Sequence, residues 1–512
     1  MSRDRFWLLF IPAVSLIGLG FAYRLLHIPS RAETAVFCIG LFLIPTLKWP
    51  KVGVYYLFGL SLYIPLFRRM YYLVSERPAL DYLMLISDGV MGGLIVALIL
   101  LWLLNKERAR DLLSALIVAY TVLLFVKVFA GTEATIQEGL YGFKFNGLYV
   151  FFYFAGSYVL TSVKETRTMF AWASWLLFFT ALYGVKQILF GFTGFEQKWI
   201  DSITFTTLRI DGIVRPFSTY VSPAAMSDGM VLMLVAGIYW FGVRGRLTRP
   251  FGVLLVAACL APLMIASVRT NWLAAGAGVF FYLVFLRLRN RGLKIAILIA
   301  MTAGLGGYLA KGGSNAEGFQ RNAALSARLN AKGPTLTESM IKNRTAALAN
   351  PLQEYSVQKR METWAGIYYM SLIHPFGKGQ GTTGYAHSYF FQVLGEIGYP
   401  GLFCFVAILF VAFRRGMAVI AGSKDEDTRE LARLLVTILF MMTVLNLTGT
   451  HLHTPPGDVF FWFSMGCISR LHRRMREAAE AAPAAASESP AGAGGIPRSQ
   501  GLPHPLPGPA HA

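Results

Sequence analysis

Residues 86–104 read ISDGVMGGLIVALILLWLL, a continuous run in which Asp88 is the only charged side chain. An α-helix of about 20 apolar residues is long enough to cross the hydrocarbon core of a bilayer. Lys106, Arg108 and Arg110 follow directly, and short loops rich in Lys and Arg collect on the cytoplasmic side of a membrane. The stretch therefore predicts a transmembrane helix whose C-terminal end faces the cytoplasm.

The composition of the whole chain is also typical of a membrane protein. Of 512 residues, 55% are hydrophobic and only 14% are charged, whereas a soluble domain carries about 25% charged residues. The net charge of +20 is not gathered on a soluble basic domain, which argues against a nucleic-acid partner. The four cysteines stand singly in apolar runs, and His451 and His453 lack further ligands, so no metal site is predicted.

Similar apolar runs recur along the chain and predict an all-α, polytopic transmembrane helix bundle. The candidate spans are 6–23, 34–49, 52–67, 86–104, 112–130, 147–163, 169–190, 225–243, 251–268, 271–287, 294–309, 388–413, 431–449 and 457–471. The first follows two arginines and has no small-residue cleavage signal, so we expect an uncleaved span and a cytoplasmic N-terminus. The loops holding Arg31 and Arg68 break the pattern of basic cytoplasmic loops, which leaves the count at 12–14 spans.

Three regions are predicted. Residues 1–190 form an N-terminal transmembrane bundle, and residues 191–475 form a second region with long periplasmic loops at 191–223 and 311–386. Within the second loop, the pattern around 355–372 is typical of a short amphipathic helix at a membrane surface. Residues 476–512 are rich in Ala, Pro, Gly and Ser and predict a disordered cytoplasmic tail.

Arginines near the predicted periplasmic ends of spans are candidates for binding an anion. Arg269 lies in the short turn S-V-R-T-N-W between two spans, and a guanidinium matches the geometry of phosphate oxygens. Arg209 and Arg215 flank a glycine in a run that predicts a flexible, donor-rich entry to the next span. Each arginine could instead be an interfacial anchor or ordinary loop charge.

His387 closes the second long loop and opens the next predicted span. An imidazole at the water–lipid boundary is suited to removing a proton from a hydroxyl, although an interfacial ring is the commoner role of a single histidine. Lys127, Lys186 and Arg360 could add positive charge at the same face, or could simply reach toward lipid headgroups. Glu396 lies on the far side of the helix from His387 and is predicted to be structural.

Three motifs carry a resemblance to a known family. They are R-x-x-G-x-x-R-P-F-S at 209–218, S-V-R-T-N-W-L at 267–273, and the extended pattern R-M-E-T-W, H-P-F-G-K-G, H-S-Y and L-G-E-I-G-Y-P-G-L between 360 and 402. In these motifs the chain resembles the superfamily of O-antigen ligases and Wzy-type polysaccharide polymerases. The N-terminal spans resemble that family only in hydropathy.

The resemblance implies a membrane glycosyltransferase with a GT-C-like fold in the bacterial inner membrane, active on the periplasmic side and without a metal or cofactor. The donor would be a glycan linked to undecaprenyl pyrophosphate, and the acceptor another glycan or lipid A-core. Arg269 and one of Arg209 and Arg215 would bind the pyrophosphate, and His387 would be the general base. Membrane lipids and other polysaccharide-assembly proteins would be its partners.

Several functions stay open on the sequence. The long chain and enlarged outer loop favour a polymerase that joins repeat units over a ligase that transfers finished polymer to lipid A-core. A flippase or transporter of lipid-linked oligosaccharides would carry charged residues deep in several spans and show internal pseudosymmetry. A structural membrane scaffold would need neither His387 nor Arg269.

Overall fold

The computed structural model describes residues 30–73, 81–104, 111–131, 135–203, 208–210, 213–243, 245, 247–266, 268–287, 355–453 and 455–487. These residues form a helical bundle, as the sequence predicts, together with one very short β-ladder. The predicted spans 6–23 and 294–309, the first part of the second long loop and residues 488–512 lie outside the described ranges.

The bundle is built from long helices joined by short turns. In chain order the helices are α1 (Arg31–Lys48), α2 (Pro50–Met70), α3 (Leu85–Leu104), α4 (Leu112–Phe129), α5 (Ile136–Asn146), α6 (Val163–Phe190), α7 (Gly194–Ser202), α8 (Pro223–Gly242), α9 (Thr248–Ile265), α10 (Arg269–Phe280), α11 (Tyr355–Ile373), α12 (Tyr389–Gly422), α13 (Glu426–Thr448) and α14 (Gly457–Ser487). Strands β1 (Arg209–Ile210) and β2 (Ile213–Val214) pair antiparallel. A π-helical turn, Phe281–Arg287, extends α10.

Eight helices in the described ranges are long and apolar enough to cross a membrane. They are Tyr82–Leu101, Leu112–Phe129, Val163–Phe190, Pro223–Gly242, Thr248–Ile265, Arg269–Arg287, Tyr389–Gly422 and Glu426–Thr448. Each coincides with a predicted span, so the prediction of a multi-pass membrane protein is confirmed at this level. Helices α1, α2 and α14 cover three further predicted spans but are not among the eight.

The predicted span 147–163 is not one continuous helix. The chain forms short 3₁₀, α and π turns between Leu148 and Val159. The cause is a close backbone approach to α14, because a Cβ on Gly156 would meet the Phe463 carbonyl oxygen and a Cβ on Gly466 would meet that of Tyr153. Two glycines thus let this segment and α14 pack backbone to backbone.

One hydrophobic core joins the regions on either side of residue 190. The ring of Phe58 in α2 lies 4.8 Å from Phe460 and 5.2 Å from Phe463, both in α14, with centroid-to-centroid geometry typical of edge-to-face packing. Helix α2 and the last described helix, α14, are therefore packed against each other within the buried core.

Polar contacts define the two ends of this bundle. At one end, which we call the Arg470 end, the start of α6 contacts the starts of α2 and α13 through Lys51–Glu165 and Arg167–Asp427. The later parts of α12 and α14 contact the residue before α4 and the start of α6 through Arg415–Asp111 and Arg470–Thr166. These residues belong to or adjoin loops predicted to be cytoplasmic. The opposite end, which we call the His387 end, holds all the candidate site residues. The side of the membrane that each end faces stays a prediction.

The basic residues that break the loop pattern have local partners. Arg31 and Arg68 lie at the His387 end, and both approach the Asp81 carboxylate, at 3.2 and 2.8 Å. Both guanidinium groups are thus partly offset by one carboxylate. Arg69, their neighbour, is buried and belongs to the candidate site.

Helix α12 is interrupted at Gly398, which has φ 80°, and Pro400 follows two residues later. The carbonyls of Gly395 and Glu396 therefore lose their usual i+4 donors, because the Tyr399 N–H turns to the Pro375 carbonyl and Pro400 has no N–H. Replacement donors come from residues 374–381, which we call the Gly-rich loop. The N–H of Lys378 donates to the Gly395 carbonyl at 2.9 Å, and the N–H of Gly379 donates to the Glu396 carbonyl at 3.0 Å.

The last helix is longer than predicted. The sequence predicts a disordered tail from residue 476, whereas α14 continues to Ser487. Alanine-rich sequence has high helix propensity, and Arg476 pairs with Glu480 one turn later at 3.1 Å. The low hydrophobicity of the sequence after residue 475 therefore does not indicate where α14 ends.

We expect Gly398→Ala to destabilise the protein. The added Cβ would clash with the Pro375 carbonyl, and a positive φ strains any side chain, so the cost should be at least about 2 kcal/mol. The control is Gly276→Ala in α10, where a Cβ meets nothing within 4 Å. Thermal unfolding in detergent should show a fall for Gly398→Ala only, and an equal response of both variants would contradict this packing.

The predicted orientation can be tested with a matched pair of cysteines. Ser202 is exposed beside the His387 end, and Ser423 lies in the turn between α12 and α13 at the Arg470 end. In spheroplasts, a membrane-impermeant maleimide should label Ser202→Cys without permeabilisation and Ser423→Cys only after it. The reverse order would invert the topology, and labelling of both from one side would rule out the two-ended arrangement.

Candidate active site at the His387 end

Arg215 and Arg269 meet at the turn between α9 and α10. Arg269 is the first residue of α10, directly after Val268. Arg215 is 8% exposed, and its Nη1 donates to the carbonyl oxygen of Ala266 at 2.8 Å. Two guanidinium-bearing residues that are far apart in sequence are therefore attached to the same short turn.

The segment that carries Arg215 is buried and well packed, so the expectation of a flexible polar entry is wrong. The N–H groups of Phe217 and Ser218 both donate to Gln187 Oε1, at 3.0 and 2.7 Å. Arg69, only 1% exposed, donates to the Ser218 carbonyl at 2.5 Å and lies over the ring of Phe217. These partners replace water around the backbone. The polar groups of the segment therefore form hydrogen bonds inside the protein and not with solvent.

Arg209 is connected to Arg215 through the short ladder. Its backbone pairs with Val214 across β1 and β2, and the Arg215 N–H donates to the Leu208 carbonyl at 3.0 Å. The side chain of Arg209 lies outside the described part of the structure, so of the two candidates in this motif only Arg215 has a described side-chain position.

His387 lies just before α12 rather than inside it. It has φ 54°, a left-handed conformation that is uncommon for a residue other than glycine and is a feature of functional sites. The ring is partly buried and lies 4.3 Å from that of Tyr385. Burial, together with the positive charge of Arg360, lowers the pKa of the His387 imidazole below its ordinary value.

Helix α11, predicted as an amphipathic segment, supports the His387 conformation. Trp364 Nε1 donates to the Ala386 carbonyl at 2.9 Å, and its ring stacks on Phe391 with centroids 5.3 Å apart. Arg360, one turn earlier, donates to the carbonyl of Thr448 at 3.2 Å. One face of α11 thus holds the residues on both sides of His387 and reaches the end of α13.

The turn after α13 links His387 to the arginines. The Gly449 carbonyl accepts a hydrogen bond from the Tyr389 N–H at 3.0 Å. Two residues on, His451 Nδ1 lies 2.8 Å from Asp228 Oδ2. The other oxygen of that carboxylate accepts a hydrogen bond from Asn271 Nδ2 at 2.6 Å, and Asn271 is in the same first turn of α10 as Arg269.

Sequence reasoning did not identify the Asp228–Asn271–His451 network. All three side chains are buried, at 2%, 0% and 8% exposure. A carboxylate inside an apolar span was the available signal, since ionisable groups at that depth are costly and need partners. The structure supplies a partner for each oxygen from a different element, which links α8, α10 and the turn after α13.

The remaining candidates are at the edges of this group. Lys127 Nζ donates to the Gly377 carbonyl of the Gly-rich loop at 3.2 Å. Lys186 forms an ion pair with the buried Glu196 at 3.2 Å, so its charge is partly offset. Glu396 accepts hydrogen bonds from Asn146 at 3.1 Å and Thr383 at 2.9 Å, which matches the prediction of a structural role.

The arrangement places guanidinium groups and an imidazole at the same end of the bundle, linked through shared elements. Arg215 and Arg269 supply positive charge on one side, Arg360 supplies it on the other, and a partly buried imidazole lies beside Arg360. Within the described ranges, no three His, Cys, Asp or Glu side chains cluster as they would to hold a metal ion. His451, one of the two histidines considered for a metal pair, directs Nδ1 to Asp228 instead.

Comparisons with known proteins add no family assignment, because no family model and no curated protein sequence matches this chain.

Loss of the Asp228 carboxylate should disrupt this end of the bundle. Asp228→Ala would leave the Asn271 amide and the His451 ring without their partner in a buried site, at a cost of about 2 kcal/mol or more. The control is Ser464→Ala, since the buried Ser464 hydroxyl has no hydrogen-bond partner among the described residues. The melting temperature should fall for Asp228→Ala and stay nearly constant for Ser464→Ala. Similar melting temperatures for both variants would show that the network contributes no stability.

Proposed function

We propose that the protein is a membrane glycosyltransferase with a GT-C-like architecture, whose site at the His387 end faces the periplasm. It transfers a glycan from undecaprenyl pyrophosphate to a sugar hydroxyl, as a Wzy-type polymerase that joins repeat units of a surface polysaccharide. The observation that carries the proposal is the convergence of Arg215, Arg269, Arg360 and His387 through a continuous set of contacts.

The arginines suit a pyrophosphate leaving group. A guanidinium keeps its charge at any physiological pH and presents its donors in a fork that matches phosphate oxygens. The guanidinium of Arg215 is held by a backbone carbonyl, so its charge is positioned before the donor binds, and the backbone of Arg269 is fixed at the start of α10. Preorganised charge of this kind stabilises the negative charge that develops as the glycosidic bond breaks.

His387 suits the role of general base. Its pKa is lowered, so the imidazole is neutral near pH 7 and can accept a proton. In the proposed reaction the acceptor oxygen attacks the anomeric carbon while its proton passes to His387. The bond from that carbon to the pyrophosphate oxygen breaks, and its electron pair leaves with the lipid pyrophosphate. A single displacement of this kind inverts the anomeric centre.

The nearby Arg360 connects the base to the anion site. Its guanidinium is close enough to lower the pKa of His387, and it also contacts Thr448, the last residue of α13 before the turn that leads to His451. The same positive charge that attracts a pyrophosphate therefore keeps the base unprotonated. A site with an anion subsite on one side and a neutral base on the other is what glycosyl transfer from a lipid pyrophosphate requires.

The assignment can be tested by complementation. In a strain that lacks the chromosomal copy, His387→Ala and Arg269→Ala should each abolish long-chain surface polysaccharide while the protein is still made at the normal level. The control is His472→Ala in α14, the same substitution at the Arg470 end, which should restore the polysaccharide. Full restoration by either site variant would show that the residue is not catalytic or substrate-binding.

The product that accumulates separates the polymerase from the ligase. Loss of a polymerase leaves single repeat units on the acceptor or carrier, whereas loss of a ligase leaves polymer on undecaprenyl pyrophosphate. We expect single repeat units.

The rate should also depend on pH in a defined direction. Because the pKa of His387 is lowered, the neutral base persists as the pH falls to 6.5, the ordinary value for histidine, and activity should be half lost only below that pH. Initial rates of the purified protein between pH 5 and pH 8 would test this, with the donor concentration kept well below saturation so that the rate reports the pKa of the free protein. A half-loss above pH 7 would argue against His387 as the base.

A further inference from the structure

The Arg470 end contains a second cluster of arginines that the proposed reaction does not use. Arg470, Arg473 and Arg474 of α14 line a cleft of about 140 Å³ together with Ser157 and Tyr158. The opposite wall is the π-helical turn Ala155–Val159 and the start of the loop before α6. This cleft lies at the other end of the bundle from His387.

The innermost arginine is buried in this wall. Arg470 is 3% exposed, and its Nη2 donates to Thr166 Oγ1 at 2.6 Å. Its Nε and Nη1 are buried and have no acceptor among the described residues. Such groups are costly to bury without a partner, and more so when the group is charged.

Arg473 repeats this pattern. Its Nη2 donates to the Ser157 carbonyl at 3.1 Å, and its guanidinium lies 5.2 Å from the centroid of the Tyr158 ring. Its Nη1 is buried and also lacks an acceptor within the described ranges. The Ser157 carbonyl and the Tyr158 ring thus hold the guanidinium in place, and one of its nitrogens has no acceptor among the described residues.

Nearby carboxylates do not balance the three charges. Glu477, which also lines the cleft, is solvent-exposed. Glu165 is close enough to act on Arg470, but it forms an ion pair with Lys51 at 2.6 Å and accepts the Thr161 N–H at 2.8 Å. Among the described residues, none of the three arginines forms an ion pair with a carboxylate. The preference of Lys and Arg for cytoplasmic loops accounts for basic residues at this end, but it does not require Arg470 to be buried.

We propose that this cleft is a binding site for a phosphate group, separate from the catalytic site. Arg470 and Arg473 provide positive charge and donors that lack acceptors on the inner wall, and the exposed Arg474 provides further positive charge at the mouth. The ligand is the phosphate of an anionic phospholipid headgroup or a soluble phosphate. The sequence predicts that this end faces the cytoplasmic leaflet, where the former is abundant.

The experiment uses the full-length protein in a neutral detergent, with thermal unfolding measured against increasing phosphatidylglycerol, phosphatidylcholine or inorganic phosphate. The test variant is Arg473→Gln. The matched control is Arg476→Gln, which removes one positive charge from the next part of the same helix, where Arg476 is exposed and pairs with Glu480. Arg470 is left unchanged because its contact with Thr166 contributes to the fold.

We expect half-maximal stabilisation of the Arg473→Gln variant to need at least about tenfold more ligand than the wild type, the effect of losing one charge-assisted hydrogen bond. The Arg476→Gln variant should behave as the wild type. Stabilisation by phosphatidylglycerol but not by inorganic phosphate identifies a headgroup site, and stabilisation by both identifies a general phosphate site. The proposal is overturned if neither phosphatidylglycerol nor inorganic phosphate acts, if the zwitterionic phosphatidylcholine acts as well as phosphatidylglycerol, or if the two variants respond alike.

Discussion

The interruption of α12 at Gly398 is the constraint on which the candidate site depends. A helix that breaks in an apolar bundle must find new partners for the carbonyls it frees, because no water is available to replace them. Here the Gly-rich loop supplies them, since the N–H groups of residues 378 and 379 bind the carbonyls of Gly395 and Glu396. The loop is thereby fixed against the helix, and the chain that leaves it must return to the start of α12 through His387. His387, with its left-handed backbone, lies on this short return.

A second set of buried polar contacts brings the arginines to the same place. Asp228 lies in the middle of this set, with Asn271 on one carboxylate oxygen and His451 on the other. Because a buried carboxylate needs both partners, α8, α10 and the turn after α13 are held at fixed relative positions. Arg269 is carried by α10, the last carbonyl of α13 binds Arg360, and the next carbonyl, in the turn after α13, binds the N–H of Tyr389. The charges of the site therefore rest on rigid elements and not on long flexible loops.

Much of this architecture could be predicted from sequence, because apolar length and basic loops are properties of individual segments. Eight predicted spans have matching helices, and the candidate residues lie at one end as the alternation of helices requires. The segment 147–163 was mistaken for a continuous helix because its close approach to α14 depends on Gly466, which is remote in sequence. Arg215 was placed in a flexible entry for the same reason, since Gln187 and Arg69 bury its neighbours from other helices. Asp228 is a charged residue in an apolar run, but its network cannot be predicted from that run because its partners, Asn271 and His451, come from two distant segments.

Release of the lipid carrier is the most direct measurement of the central claim. The purified protein, reconstituted in nanodiscs with an undecaprenyl-pyrophosphate-linked oligosaccharide and an acceptor glycan, should produce free undecaprenyl pyrophosphate and elongated glycan in equal amounts. Mass spectrometry of the lipid and glycan fractions can follow both products in one reaction. Equal yields that depend on Arg269 would agree with glycosyl transfer at the His387 end. Complete recovery of intact donor in the nanodisc reaction would contradict the claim. If the same protein in liposomes then moves the donor across the bilayer, the protein is a transporter.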